Sequence, residues 1–130
     1  MRAKKKVLLV TVLMVVAFTT SALAIGYERY ALYANQVNNY TYSHEKQYND
    51  LYLTNKVDDL SNTDLATFWA TNSDKNQISG DYMMGEGSTA NINWLSGFGY
   101  MNQGTSVRMG MENYHWDFGA AYASGDVDFR

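Results

Sequence analysis

The chain has 130 residues, 46% of them hydrophobic and 15% aromatic, with 10 Lys or Arg against 13 Asp or Glu for a formal net charge of −3. Neither cysteine nor proline occurs, which excludes thiol catalysis, Cys-ligated zinc and a disulfide framework, and leaves turns to Gly, Asn, Asp and Ser. A chain of this size supports one domain with a modest core, which here must stand on packing alone.

The first 24 residues have the form of an export signal. Arg2, Lys4, Lys5 and Lys6 precede an unbroken apolar run, Val7 to Phe18, and Thr19-Thr20-Ser21 leads to small residues at Ala22 and Ala24, a pattern that predicts cleavage after Ala24 and secretion. At about 1.5 Å per residue the run spans roughly 18 Å, short of the roughly 30 Å hydrocarbon core. The alternative is an uncleaved anchor from Val7 to Ile25 with the body outside. No cysteine follows the run, so a lipoprotein anchor is excluded. The expected organisation is therefore a signal peptide, 1–24, and a single secreted domain, 25–130.

That domain carries all 13 acidic residues and only six basic ones, Arg29, Lys46, Lys56, Lys75, Arg108 and Arg130, for a formal charge of about −7. Such a surface argues against nucleic acid and against electrostatic attraction to anionic membranes or wall polymers. Membrane contact is expected only through the signal segment.

Along the domain, aromatic and β-branched residues lie between Gly/Asn turns, which favours sheet. Ile25 to Gln36 fits either a helical stripe (Tyr27, Tyr30, Ala31, Ala34) or a strand (Tyr30, Leu32, Ala34), and its surroundings favour the strand. Val37 to Asn49 is polar and reads as a loop or irregular edge. Tyr48 to Val57 alternates as a strand, and Asp58 to Asp64 (DDLSNTD) reads as a turn. Leu65 to Thr71 (LATFWAT) is the strongest strand, with Phe68 and Trp69 on opposite faces. Asn72 to Asn76 turns the chain into Gln77–Met84, which predicts a hairpin over 65–84. After a turn at Gly85–Ser88, Thr89 to Leu95 places Ala90, Ile92 and Trp94 on one face. A glycine-punctuated loop leads to Thr105–Glu112, where Val107, Met109 and Met111 alternate with Arg108, Gly110 and Glu112. Trp116 to Tyr122 reads as a further strand with Trp116, Phe118, Ala120 and Tyr122 on one face, and Asp126 to Phe129 as a short alternating tail. Six to eight short strands at this spacing predict an all-β fold, a small antiparallel β-sandwich or partly closed barrel.

The chemistry-bearing patterns are weak. Asn72-x-Asp74-x-Asn76 begins like a calcium loop, but Gln77 stands at the glycine position and Met83 at the bidentate carboxylate position. Asp58 with Asp59, and Asp126 with Asp128, read as solvated turn carboxylates. His115 next to Trp116-Asp117 invites a triad, yet no G-x-S-x-G element is present, and residues on a strand point to opposite faces in alternation. Gly85-Glu86-Gly87 and Gly97-Phe98-Gly99 continue into no phosphate loop. Asn39-Tyr40-Thr41 fits a glycosylation sequon. The sequence thus predicts no enzyme: no catalytic residue, no metal ligand set and no cofactor. Its one functional lead is aromatic. Trp69 and Trp94 are assigned to the core, and Tyr30, Tyr40, Tyr42 and Tyr48, in a polar third of the chain, to a candidate binding surface for sugar rings or a protein.

Thr105-Ser106-Val107-Arg108-Met109-Gly110-Met111-Glu112-Asn113 resembles the T-x-V-R-L-x-x-x-N strand of small exported proteins of unknown function from Gram-positive bacteria, with Ala123–Phe129 as the counterpart of their closing segment. The resemblance implies a secreted β-rich domain and brings no catalytic residues. The chain is also similar to lactococcin-972-like bacteriocins in being exported, cysteine-free and β-rich, though it is longer and more acidic. The function expected is non-enzymatic binding of a protein or a cell-surface glycan, with a bacteriocin-like toxin acting on neighbouring cells as the alternative.

Overall fold

The structure, a computed structural model, describes residues 24–32, 38–116 and 119–130; the expected export segment, Met1–Ala24, lies outside them but for its last residue. Among the described residues all regular structure is β: β1 (Ile25–Leu32), β2 (Asn39–Tyr40), β3 (His44–Glu45), β4 (Tyr52–Ser61), β5 (Ala66–Asn72), β6 (Tyr82–Met84), β7 (Thr89–Asn93), β8 (Ser106–Asn113) and β9 (Ala121–Asp128). They form two sheets. The first runs β1-β9-β4-β7; the second runs β2-β8-β5-β6, with β3 also paired to β8. Every pairing is antiparallel. The sheets do not close on themselves, and the fold is the small β-sandwich expected from the strand spacing.

Period-two alternation builds the core between the sheets. The first sheet contributes Leu32, Leu53, Val57, Leu60, Ile92, Ala121, Ala123 and Val127; the second contributes Ala66, Phe68, Ala70, Met84, Val107, Met109 and Met111. Four of these buried side chains, counting Met101 from the β7–β8 loop, are methionines, whose unbranched thioethers fill irregular gaps where no disulfide is available.

Three elements depart from the expectation. The expected Asp58–Asp64 turn is confined to the residues after Ser61: β4 continues to Ser61, with a bulge between Val57 and Asp59 in its pairing with β9. The extra residue leaves Asp58 and Asp59 both exposed and returns Leu60 to the core, the phase change that a bulge produces. The C-terminal strand also begins later than expected and is in the opposite phase. Ala121, Ala123, Gly125 and Val127 point inwards, and Tyr122, Ser124, Asp126 and Asp128 point outwards, over one continuous strand. Small inward residues suit a strand that lies between β1 and β4. Finally, only the last part of 77–84 is a regular strand.

The remainder of that segment joins the two sheets at their β6 and β7 edges. The Ile78 amide donates to Ala70 O on β5 at 2.9 Å, and Ile78 O accepts from Leu95 N at 2.9 Å. Ser79 bridges to Trp94, and its Oγ accepts from the Ala70 amide at 2.7 Å.

At the end of the sandwich where β3 leads into β4, the segment expected as a polar loop or irregular edge buries a lysine. Lys46 is only 1% exposed. Its Nζ donates to the main-chain oxygens of Asp50, Arg130 (2.8 Å) and Phe129 (3.4 Å), and lies 5.2 Å from the centre of the Trp94 ring. Its own backbone bonds to Thr105 O and Gly104 N, each at 2.9 Å. Three carbonyls satisfy the three ammonium donors, which is what burial of a lysine demands. Around it, the His44 ring stacks on Phe129 at 4.6 Å and Arg130 Nε lies 3.2 Å from Asp50 Oδ2. Burial pulls the Lys46 ammonium down to about 8, against a smaller opposing pull from Asp50.

Candidate binding face on the second sheet

The outward residues of β8 are Arg108, Gly110 and Glu112, and the middle one has no side chain. Gly110 pairs with Trp69 on β5 and with Tyr40 on β2, so the row across the three strands reads Tyr40, Gly110, Trp69. The two rings meet over the gap, edge to face, with centroids 6.1 Å apart and planes at 90°, a favoured aromatic geometry. Trp69 lies so close that a Cβ on Gly110 would come 2.3 Å from its Cε2 and 2.4 Å from its Nε1. The indole is thereby 95% buried although it is on the outer face of its sheet, its relative exposure being 5%. The expectation that Trp69 is buried holds, but it takes no place in the core between the sheets. Phe68, its neighbour, does.

Beside this row is a depression of about 160 Å³ lined by Asn38, Trp69, Gln77, Asp81 and Glu112. Asn38 precedes β2, Glu112 is on β8, and Gln77 and Asp81 come from the irregular segment that follows β5. There Tyr82 pairs with Phe68 while Gln77 bridges Thr71. Six residues on one side thus span only four on the other, and the slack carries Asp81 outwards. Gln77 Nε2 donates to Asp81 Oδ1 at 2.8 Å and to Ser79 O at 2.9 Å, and Asn38 Nδ2 donates to Tyr40 Oη at 3.3 Å. Partial burial, reinforced by the nearby charge of Asp81, raises the Glu112 carboxyl above its ordinary value.

The basic residues of this face stand outside the depression. Lys75 Nζ sits 5.0 Å over the Tyr40 ring, and Arg108 is held by Ser73 O (2.9 Å) and Thr41 O (3.3 Å).

The four tyrosines singled out in the sequence have separate placements. Tyr30, on β1, packs against the core from the first sheet. Tyr40 is the edge partner of Trp69. Tyr42 is 82% exposed between β2 and β3, and Tyr48 is half-buried in the β3–β4 loop. Trp94 is half-buried against the core, with Nε1 donating to Met101 O at 2.8 Å.

His115 does not await Asp117, which lies outside the described residues. Its Nε2 is 2.5 Å from Asp64 Oδ1 in an exposed pair, and the hydrogen bond from His115 lowers the Asp64 carboxyl. At the calcium-like turn, Asn72 Oδ1 accepts from the amides of Asp74 (3.0 Å) and Asn76 (2.9 Å), so that oxygen is used in holding the turn. Among the described residues, no three His, Asp or Glu side chains gather as metal ligands. Sequence reasoning missed Asp81, Gln77 and Glu112. The one available signal was Gly110 opposite Trp69, which requires the strand register to be known.

The fold and this face define a small antiparallel sandwich with a polar depression beside a buried tryptophan. No protein-family model matches the chain, and no curated protein or solved structure is significantly similar to it.

Proposed function

We propose that the chain is a secreted, non-enzymatic binding protein whose working surface is the outer face of the second sheet around Trp69. The observation that carries this reading is the depression beside the Tyr40–Gly110–Trp69 row, lined by the polar side chains of Asn38, Gln77, Asp81 and Glu112. The partner is a protein or a glycan, and the acidic character of Asp81 and Glu112 disfavours polyanions. The test compares the wild-type chain with Asp81→Arg, whose long side chain fills the depression, for retention on cell-wall glycan and on the exported proteins of the source cells. Retention lost by Asp81→Arg supports the reading. Equal retention of both chains, or none by either, refutes it. Inhibition of related strains by the purified protein, unchanged in Asp81→Arg, would support the bacteriocin-like alternative instead.

A further inference from the structure

The loop between β7 and β8 crosses one end of the sandwich, away from the Trp69 face. Residues 87–107 contain no Asp, Glu, Lys, Arg or His, although the domain around them is strongly acidic. Trp94 holds the base of the loop: its backbone amide donates to Leu51 O at 2.9 Å and its Nε1 donates to Met101 O at 2.8 Å. Two turns then fold the tip, with Phe98 N donating to Leu95 O (3.3 Å) and Met101 N to Phe98 O (2.9 Å). Gly97, at a φ of 97°, supplies the left-handed angle that this reversal needs. Met101 is buried beneath, so Leu95 and Tyr100 are turned to solvent, 52% and 62% exposed, and Leu51 at the base is 40% exposed. The Phe98 ring lies 6.1 Å from that of Tyr100. Charges at the base of the loop are already matched. Arg130 Nε lies 3.2 Å from Asp50 Oδ2, and the Lys46 ammonium is buried under main-chain oxygens.

Where the chain enters the fold says what this tip faces. Ile25 pairs with Val127 and Leu32 with Ala121, and Val127 is the end of β9 that leads to Phe129 and the Lys46 cluster. β1 therefore runs away from the end of the sandwich that carries the loop. In the sequence, β1 is preceded by the apolar run Val7–Phe18, so the stretch with most affinity for lipid joins the domain at that same end. Leu, Phe and Tyr side chains without charge among them suit the bilayer interface, where aromatic rings settle at headgroup level. A stable protein interface buries roughly 800 Å² on each partner, more than the few exposed side chains of one loop supply. We infer that the 94–101 loop is a membrane-contacting tip that rests Leu95, Phe98 and Tyr100 in the interface of a bilayer. The sandwich then stands on this end, and the outer faces of both sheets, the Trp69 face included, stay clear of lipid. The contact is apolar and independent of salt, and it adds a second point of attachment to the one expected through the export segment.

The absence of cysteine makes the test direct, because one introduced cysteine takes one fluorescent label. The full chain is reconstituted in phosphatidylcholine vesicles with the label at Ser96→Cys, in the exposed loop, or at Ala120→Cys, exposed in the β8–β9 connection at the opposite end. Quenching by iodide in the water and by spin-labelled lipid is measured for each. The expected result is a loss of iodide quenching and a gain of lipid quenching at position 96, neither at position 120, and no change when salt is raised. Leu95→Asp and Tyr100→Asp, each at a largely exposed position and each checked by its urea midpoint, should return the position-96 label to water. Equal quenching at the two positions overturns the proposal. So does a position-96 label that stays in lipid in both Asp variants, since the tether alone would then hold it there. Protection that salt abolishes shows an electrostatic contact and overturns it as well. Protection that appears without vesicles and grows with protein concentration assigns the loop to a second copy of the chain, again against the proposal. None of these outcomes bears on the Trp69 face, which its own retention assay tests.

Discussion

Gly110→Ala isolates the contact on which the face is built. Gly110 has no left-handed backbone angle, so alanine can adopt its conformation, and a mid-strand Gly→Ala change on its own should stabilise by about 0.5–1 kcal/mol. The new methyl carbon, however, would lie 2.3, 2.4 and 2.6 Å from Cε2, Nε1 and Cζ2 of Trp69, where carbon contacts are comfortable only near 3.5–4.0 Å. These are atoms of a rigid fused ring, so the whole indole must retreat by roughly 1 Å. Forced overpacking of this kind costs about 1–3 kcal/mol, and pulling away from Tyr40 loses part of an edge contact worth about 0.5–1.5 kcal/mol. The net expectation is a destabilisation of about 1–3 kcal/mol, a large share of the 5–15 kcal/mol typical of small domains. The assay is urea unfolding of wild type, Gly110→Ala, Trp69→Ala and the double variant. Trp69→Ala alone should cost about 3 kcal/mol. In that background Gly110→Ala has no ring to strike and should be neutral or stabilising, giving a coupling energy of about 2–3 kcal/mol. If Gly110→Ala costs the same with and without Trp69, the indole does not rest on Gly110 as described.

Three other variants probe the charged and polar interior. Lys46 should make stability rise with pH: its folded value of about 8 lies below its ordinary 10.5. The burial penalty is therefore present below pH 8 and is relieved as the unfolded state alone stays protonated, towards pH 10.5. Relative to Lys46→Met, wild type should gain up to about 3 kcal/mol between pH 7.5 and 10, measured by urea unfolding at several pH values; parallel pH profiles would count against it. Asn55 is fully buried, with Oδ1 unbonded and Nδ2 directed at Met84 Sδ at 3.5 Å. Asn55→Val should raise stability by about 1 kcal/mol, and a lower melting temperature would show that the amide is needed. Glu112, whose carboxyl titrates above its ordinary range, destabilises the fold wherever it is forced to ionise. Glu112→Gln should thus raise the melting temperature at pH 7 and lose that advantage as the pH falls below the ordinary value of 4.5, which scanning calorimetry at pH 7 and below that value would detect.

Much of the fold was legible because alternation is local. LATFWAT, TANIN and SVRMGME name their own faces, and β5, β7 and β8 lie where those segments are. The bulge in β4 was not legible, since DDLSNTD has the composition of a turn and only pairing with β9 draws it straight. The phase of β9 misled for a related reason. Trp116 and Tyr122 suggested an apolar face on even positions, but a strand flanked by β1 and β4 accepts Ala and Gly inwards and sends Tyr122 outwards.

By itself, the sequence determined the class of architecture, the acidic balance of the domain and the absence of any cysteine chemistry, because composition and period-two patterning are properties of neighbours along the chain. Only the tertiary structure decided that Lys46 is buried under three carbonyl oxygens and that Asp81 approaches Glu112. It also decided that Trp69 faces outwards yet is hidden, because a glycine 41 positions further along the chain leaves room for it. Each of these depends on cross-strand register, which brings distant residues together and which no local pattern encodes.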